Sequence, residues 1–433
     1  MKIRLQLAVL SSTLLFSVNG HAWSNHSVLT NLALKNFREI NDLSKIKVES
    51  LEHFLQSVIA LKNSNDGLDK SFDRTSADLH KSFVRAYKIN PNCKLNLFQQ
   101  ATSPQEVIAL AQNHRVMDKR EYSSVSAVDI SFKVFELKED ELVRPVDVFA
   151  TAADEPDFGL DIGLFDDNNT DYGKQYGFGA QPFGNPGLEF SSQAPFHMAF
   201  YHESIIVNKF ASFLAKTHLN ERVGNYLALS NMAFQHGHPY WGWRFAGWAL
   251  HYLQDLTQPY HSAVLPGVST VKMVGTQIAA LFGRQDRKEN QIQLVSNRHI
   301  ALENFQFHHL KTAVEQNNNS DQVITALSEI KFPVIRFQEA DIKGPISIES
   351  HGRANAADAI IAKSLPANFV SDPKFEFGKV DATTNLDQLL EADPKKAEHK
   401  GPMLKLLQDC LSQAGRVTRS LVMALKYQRP KTH

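Results

Sequence analysis

The residues best suited to chemistry in this chain stand within one short stretch, His251-Tyr-Leu-Gln-Asp255-Leu-Thr-Gln-Pro259-Tyr-His261. His251 and Asp255 are four apart and so share one face of a helix, while Pro259 ends that helix and lets His261 turn back toward the same space. Imidazole and carboxylate together are the expected ligands of a borderline ion such as zinc. The competing reading is an ordinary helix with two polar residues on its wet side. Against it, Trp241, Trp243, Phe245, Trp248, Leu250, Tyr252 and Leu253 surround the pair on nearly every side. That pattern reads as a buried helix, where unpaired His and Asp are costly, and it favours a metal site. His299 and Glu303 repeat the spacing; alone such a pair is a common surface feature, and its weight comes from the company of the first.

The elements that must position these groups read as helices. Apolar residues recur at three and four positions over 28–37, 51–61, 104–111, 205–213, 223–234, 241–256, 354–362 and 404–425. Ser24 or Asn25 is placed to cap the first. Val128, Ile130, Phe132 and Val134 alternate as a strand does. Residues 151–195, rich in Gly, Asp, Asn and Pro without either period, read as a long ordered loop, and 369–402 as a long solvated connection. The fold class expected is all-α: one mostly helical bundle with at most minor β.

Composition narrows the function classes. Forty-six Lys+Arg balance forty-six Asp+Glu, so no whole-molecule field draws the chain onto a polyanion. With 43% hydrophobic residues in 433, it has the makings of a packed core. Lys2 and Arg4, the apolar run 5–18 and Gly20-His21-Ala22 read as a signal peptide over 1–22, with the mature chain starting at Trp23 and exported, secreted or periplasmic. No later stretch reaches the ~18 apolar residues of a membrane span, so no transmembrane anchoring is expected. Two cysteines, Cys93 and Cys410, are too few for a thiolate metal centre, and their spacing leaves a disulfide between them open.

These residues resemble the exported zinc-dependent phospholipases C, whose superfamily includes single-strand-specific zinc nucleases. The resemblance rests on Trp23, on His251, Asp255, Gln258, Pro259 and His261, and on His299-Ile-Ala-Leu-Glu303-Asn-Phe. It covers Trp23 and its neighbours, roughly 155–305, and more loosely the two terminal helices. It leaves 40–150 as an unplaced insertion in a single domain, 23–433, without the β-sandwich that the family's toxin branch carries at its C-terminus. It implies three zinc ions in a cleft. Asp255 would bridge two, one of them also bound by His251, an upstream Asp and an upstream His, the other by the amino group and carbonyl of Trp23 with a nearby His. The third would take His261, His299 and Glu303.

Carried over residue by residue, the upstream Asp matches Asp157, in Glu155-Pro-Asp-Phe158-Gly, whose alternative is a solvated loop carboxylate beside Asp154 and Asp161. The upstream His has two candidates, His197 and His202, of which aromatic-flanked His197 fits better. His26, three residues past Trp23, sits at a spacing nearer the nuclease branch and is the local candidate for the remaining His. His236, His238, His308 and His309 read as polar surface residues.

The reaction implied is hydrolysis of phosphatidylcholine to diacylglycerol and phosphocholine, by metal-activated water attacking phosphorus. Asp157, a ligand with a spare oxygen, would double as general base. Glu303 resembles the lipase branch, where the nucleases place Asp. Phe158 resembles a ring that lines a choline pocket, the alternative being loop packing. The partner expected is phospholipid at a membrane surface rather than nucleic acid. An exported single-strand nuclease and a non-catalytic zinc-binding protein are the other readings.

Overall fold

Residues 23, 25–61, 67–125, 130–187, 189–379, 384–394 and 397–425 are described in the computed structural model. The expected signal peptide, Ser24 and Val128 lie outside them. Helix α1 (His26–Leu34) is followed by α2 (Leu51–Ala60), α3 (Leu79–Ala86), α4 (Pro104–Leu110) and α5 (Pro145–Asp154). Short α6 (Ala194–His197) and α7 (Ile205–Phe210) lead to the long pair α8 (Leu219–Gln235) and α9 (Pro239–Asp255), the single turn α10 (Pro259–Ser262), α11 (Thr270–Leu281) and α12 (Gln285–Glu315). Then come α13 (Gln322–Ser328), α14 (Ser347–Ser364), α15 (Leu386–Ala392) and α16 (Lys400–Ala424). Strands β1 (Ile46–Lys47), β2 (Phe98–Gln100), β3 (Val134–Glu136) and β4 (Leu142–Val143) form two antiparallel ribbons, β1 with β4 and β2 with β3. The chain is a mostly all-α single domain, and no described helix is long and apolar enough to cross a membrane.

Helix α9 is the axis of the larger core. Every residue from Tyr240 to Asp255 is buried, because α8, α5 and α2 cover it on different sides. Contact with α5 is close at Gly247, where a Cβ would lie 2.5 Å from Ala152 Cβ and 2.7 Å from the Phe149 carbonyl oxygen. Only glycine lets the two backbones approach so nearly. Phe54 of α2 and Phe83 of α3 stack around Trp241 and Phe245. Each such aromatic side chain contributes about 2–3 kcal/mol on burial, so segment 40–150 is built into the body. A second core joins Trp23, Val28 and Leu29 to Leu302 and Phe305 of α12 and Leu407 and Leu411 of α16. Helix α1 belongs to both, with Leu34 in the first.

Four expectations are corrected. Residues 151–195 are not a loop: α5, a 3-10 turn Glu155–Phe158, a helix Asp171–Tyr176 and α6 fill much of it. Helix α5 is buried along its whole length, its polar Asp147, Thr151 and Asp154 included, so its faces do not divide into a wet and a dry one. The strand begins at Val134, after Ile130 and Phe132. Segment 369–402 carries α15 and buries Phe377, Leu386 and Leu390 in the second core. Asn25 sits at the start of α1 in the left-handed region (φ 72°) and makes no side-chain cap; its Oδ1 instead accepts from the Ser131 hydroxyl at 2.6 Å. The two cysteines do not pair: both are free and buried, Cys93 in the first core and Cys410 in the second, with burial pushing each thiol up to about 12.

Candidate metal centre

Three buried groups of side chains have the geometry to hold metal ions: His26, His251 and Asp255; Asp157, His197 and His251; and His261, His299 and Glu303. His251 is common to the first two, and Asp255 lies against members of both. Its Oδ1 lies 3.2 Å from His26 Nε2, and its Oδ2 lies 2.8 Å from His197 Nδ1 and 3.3 Å from His251 Nε2. Asp157 Oδ1 is 3.6 Å from His251 Nε2. In the third group, His261 Nε2 and His299 Nε2 face each other at 3.1 Å, and Glu303 Oε1 is 2.7 Å from His299 and 3.7 Å from His261. Ligands bonded to zinc at about 2.0–2.1 Å in a tetrahedron stand about 3.4 Å apart, a spacing these sets approach.

Local structure explains the convergence. Gln258, extended at φ −79° and ψ 124°, breaks the chain between α9 and α10, and Pro259 starts the new turn, which swings His261 back beside His197. Helix α12 presents His299 and Glu303 one turn apart. Asp157 rides on the 3-10 turn Glu155–Phe158, closed by Gly159 at φ 109° and anchored to α9 by the buried pair Glu155–Arg244 at 2.8 Å.

The outer nitrogens of three of the imidazoles, His26, His251 and His261, are held so that the inner ones face the centre. Gln254 Nε2 donates to Thr30 and Thr418 (3.0 and 2.9 Å), which leaves its Oε1 to accept from His26 Nδ1–H at 2.8 Å. His251 Nδ1–H donates to the Ala153 carbonyl (2.7 Å) and His261 Nδ1–H to the His197 carbonyl (2.9 Å). His197 Nε2 lies 3.4 Å from Asp161, itself bonded to Tyr252 and Arg222. Gln258 Nε2 donates to Glu303 at 3.0 Å, its orientation set by the Tyr260 N–H on its Oε1. Such outer partners fix the tautomer that a metal ligand needs.

The electrostatics are those of a cation site. Asp154, Asp157, Asp161 and Asp255 are all buried around His26, His197 and His251, and Arg222 balances only Asp161. Burial opposes protonation of the imidazoles, yet Asp255, Asp157 and Asp154 raise His26 to about 9, and Asp161, Asp255 and Asp157 raise His197 to about 10. Burial would likewise raise Asp255, but His251, His197 and His26 hold it well below the carboxylate range. Burial depresses His299 to about 3, which keeps its lone pair free. His26 Nε2 and Asp255 Oδ1 are buried and close but make no hydrogen bond, a pairing that a cation between them would satisfy.

The structure thus brings together His26, Asp157, His197, His251, Asp255, His261, His299 and Glu303. Trp23 is close by: its ring is fully buried and its Nε1–H donates to Thr257, two residues past Asp255, at 3.0 Å. His202 is not among the three groups; it lies half-buried against His351, the rings 5.8 Å apart. Phe158 is buried among Phe98, Met117, Tyr122 and Val134, so its ring face is taken by packing. His309 is no surface residue: it is buried between Asp321 and Asp387 at 3.3 and 3.2 Å. His238 is half-buried on Glu49 at 2.9 Å. Sequence reasoning missed Asp161 and Gln254 as supports; a Gln inside an otherwise apolar helix was the available signal for the second. No family model, curated protein or solved structure matches the chain.

Proposed function

We propose that the chain, exported and trimmed to Trp23, is a zinc-dependent phospholipase C that cleaves phosphatidylcholine into diacylglycerol and phosphocholine. The observation that carries the reading is the convergence of five imidazoles and three carboxylates in three adjoining buried groups, their inner atoms at ligand spacing and the outer nitrogens of His26, His251 and His261 tied down. The donor set is nitrogen and carboxylate oxygen, which suits zinc, and the unbonded His26 Nε2 and Asp255 Oδ1 fit a cation. Zinc bound by three or four such groups supplies Lewis acidity toward phosphoryl oxygens and lowers the pKa of water to about 7.

The chain's own residues do the rest. His26 and Asp255 hold one ion, with the amino group of Trp23 available to it once the signal peptide is removed. Asp157, His197, His251 and Asp255 hold a second, and His261, His299 and Glu303 a third. Gln193 donates to Asp157 Oδ1 at 3.4 Å, leaving Oδ2 to accept the proton of the attacking water. Three protein ligands at the third group leave room for a substrate oxygen, whereas a structural zinc is closed by four. Asp157 and His299 are the members most exposed to solvent, at 6% and 4%.

The test offers the mature protein phosphatidylcholine vesicles and single-stranded DNA side by side, with and without chelator. Phosphocholine release that stops with chelator and returns with zinc supports the proposal. Nucleotide release with intact lipid makes the chain a nuclease, and zinc bound without either hydrolysis makes the centre structural.

A further inference from the structure

Helices α7 and α11 pack against each other at the surface and carry an unusual face. Of the fourteen large apolar side chains exposed among the described residues, six lie on this face or at its edge: Ile205, Ile206, Phe210, Val271, Ile278 and Phe282, at 45–83% exposure. Below them is a small apolar cavity of about 80 Å³, bounded by Leu214, Val264, Met273 and Ile292 among others. Isolated exposed apolar residues need no explanation, but six of them on two helices packed together point to an interaction surface.

The charge of the same segments identifies what would cover it. Residues 204–220 and 262–283 contain Lys209, Lys216 and Lys272 and not one Asp or Glu, lying between Glu203, Glu221 and the Arg284–Asp286 ion pair, in a chain whose acids and bases are equal in number overall. The three lysines lie exposed, and no ion pair engages them among the described residues. A protein partner or a second copy is matched by apolar surface alone; apolar side chains ringed by uncompensated lysines match a sheet of anionic headgroups over hydrocarbon.

We propose that the α7–α11 face docks onto an anionic lipid bilayer, with Ile205, Phe210, Val271 and Phe282 entering the acyl region and Lys209 and Lys272 meeting the headgroups. The position relative to the metal centre follows from the chain. His261 precedes Val264 of the cavity wall by three residues, and along α12 Ile292 precedes His299 by seven, about 10 Å of helix. The docked face would therefore hold the third ligand group close to the membrane, an orientation whose use rests on the proposed lipid substrate; the binding itself does not.

The experiment is flotation of the mature protein with vesicles of phosphatidylcholine, with and without phosphatidylglycerol, in low and high salt. Wild type is expected to bind the anionic vesicles more tightly and to weaken in salt. Phe210→Ser with Phe282→Ser should cut binding by about tenfold or more, and Lys209→Glu with Lys272→Glu should remove the preference for phosphatidylglycerol. Both variants should keep wild-type zinc content and melting behaviour, because all four residues are exposed. Equal binding by variants and wild type overturns the proposal, as does a dimer in sedimentation that dissociates in the Phe variant while no vesicle is bound. Vesicle binding without any phosphodiester hydrolysis upholds the docking face and removes the phospholipase reading instead.

Discussion

Asp161 stands behind the candidate metal centre rather than in it, and replacing it with Asn tests how the centre is supported. Its buried carboxylate takes Arg222 Nε and Nη2 at 2.8 and 2.7 Å, the Tyr252 hydroxyl at 2.6 Å and His197 Nε2 at 3.4 Å. Asn keeps the shape and removes the charge, which leaves Arg222 buried without a counter-ion; breaking a buried pair from one side costs about 3–5 kcal/mol. A second route gives a similar size. Burial works against the ionised form, but Arg222, His197 and Tyr252 hold the carboxyl at about 2 against 3.8 unfolded, a difference worth about 2.5 kcal/mol. Because the folded pKa is the lower one, this stability is present above 3.8 and is lost as pH falls through about 2. Urea unfolding of metal-free protein at neutral pH should therefore place Asp161→Asn about 2–5 kcal/mol below wild type, with the gap narrowing as pH drops below 3.8. Zinc affinity at the His197 group should fall about 10–100-fold. A stability difference under about 0.5 kcal/mol at neutral pH would refute the reasoning.

Three further outcomes are expected. His197→Ala should lower zinc stoichiometry while His202→Ala leaves it unchanged, read by metal analysis of the purified variants; zinc loss confined to the His202 variant contradicts the ligand set. Gly247→Val should drive a side chain into Ala152 and the Phe149 carbonyl, lowering stability by about 1–3 kcal/mol and loosening zinc by shifting Asp157 against His251, whereas a variant that melts with wild type contradicts the close packing of α5 on α9. Burial works against protonation of His309, but Asp321 and Asp387 raise it from 6.5 to about 9, so its contribution, up to about 3 kcal/mol, is full below 6.5 and lost as pH rises through about 9. His309→Gln should be less stable than wild type near pH 6, with the gap closing above about pH 9, in pH-dependent melts; a gap constant across that range contradicts the ion pairs.

The parts of the site legible in the sequence are those whose geometry is local. The helical period and Pro259 are enough to bring His251, Asp255 and His261 together, and the same period pairs His299 with Glu303. The supports were hidden because they are tertiary: Asp161 lies against His197 and is bonded to Arg222 and Tyr252, all far along the chain, and nothing in 157–161 shows that both of its carboxylates are buried. Helix α5 escaped for a different reason: Asp147, Thr151 and Asp154 recur at helical spacing yet are buried with the rest of it, so polarity does not divide its faces into wet and dry. His309 has polar partners on α15 and at the start of α13, neither within reach of sequence spacing.

Metal analysis of wild type and Asp255→Asn, purified with Trp23 as first residue, tests the metal centre most directly. Both oxygens of Asp255 face imidazole nitrogens of the first two groups, so the centre predicts three zinc ions in wild type, with the variant keeping only the ion of His261, His299 and Glu303. Full and equal zinc in the two proteins, or none in wild type dialysed against zinc, would contradict it.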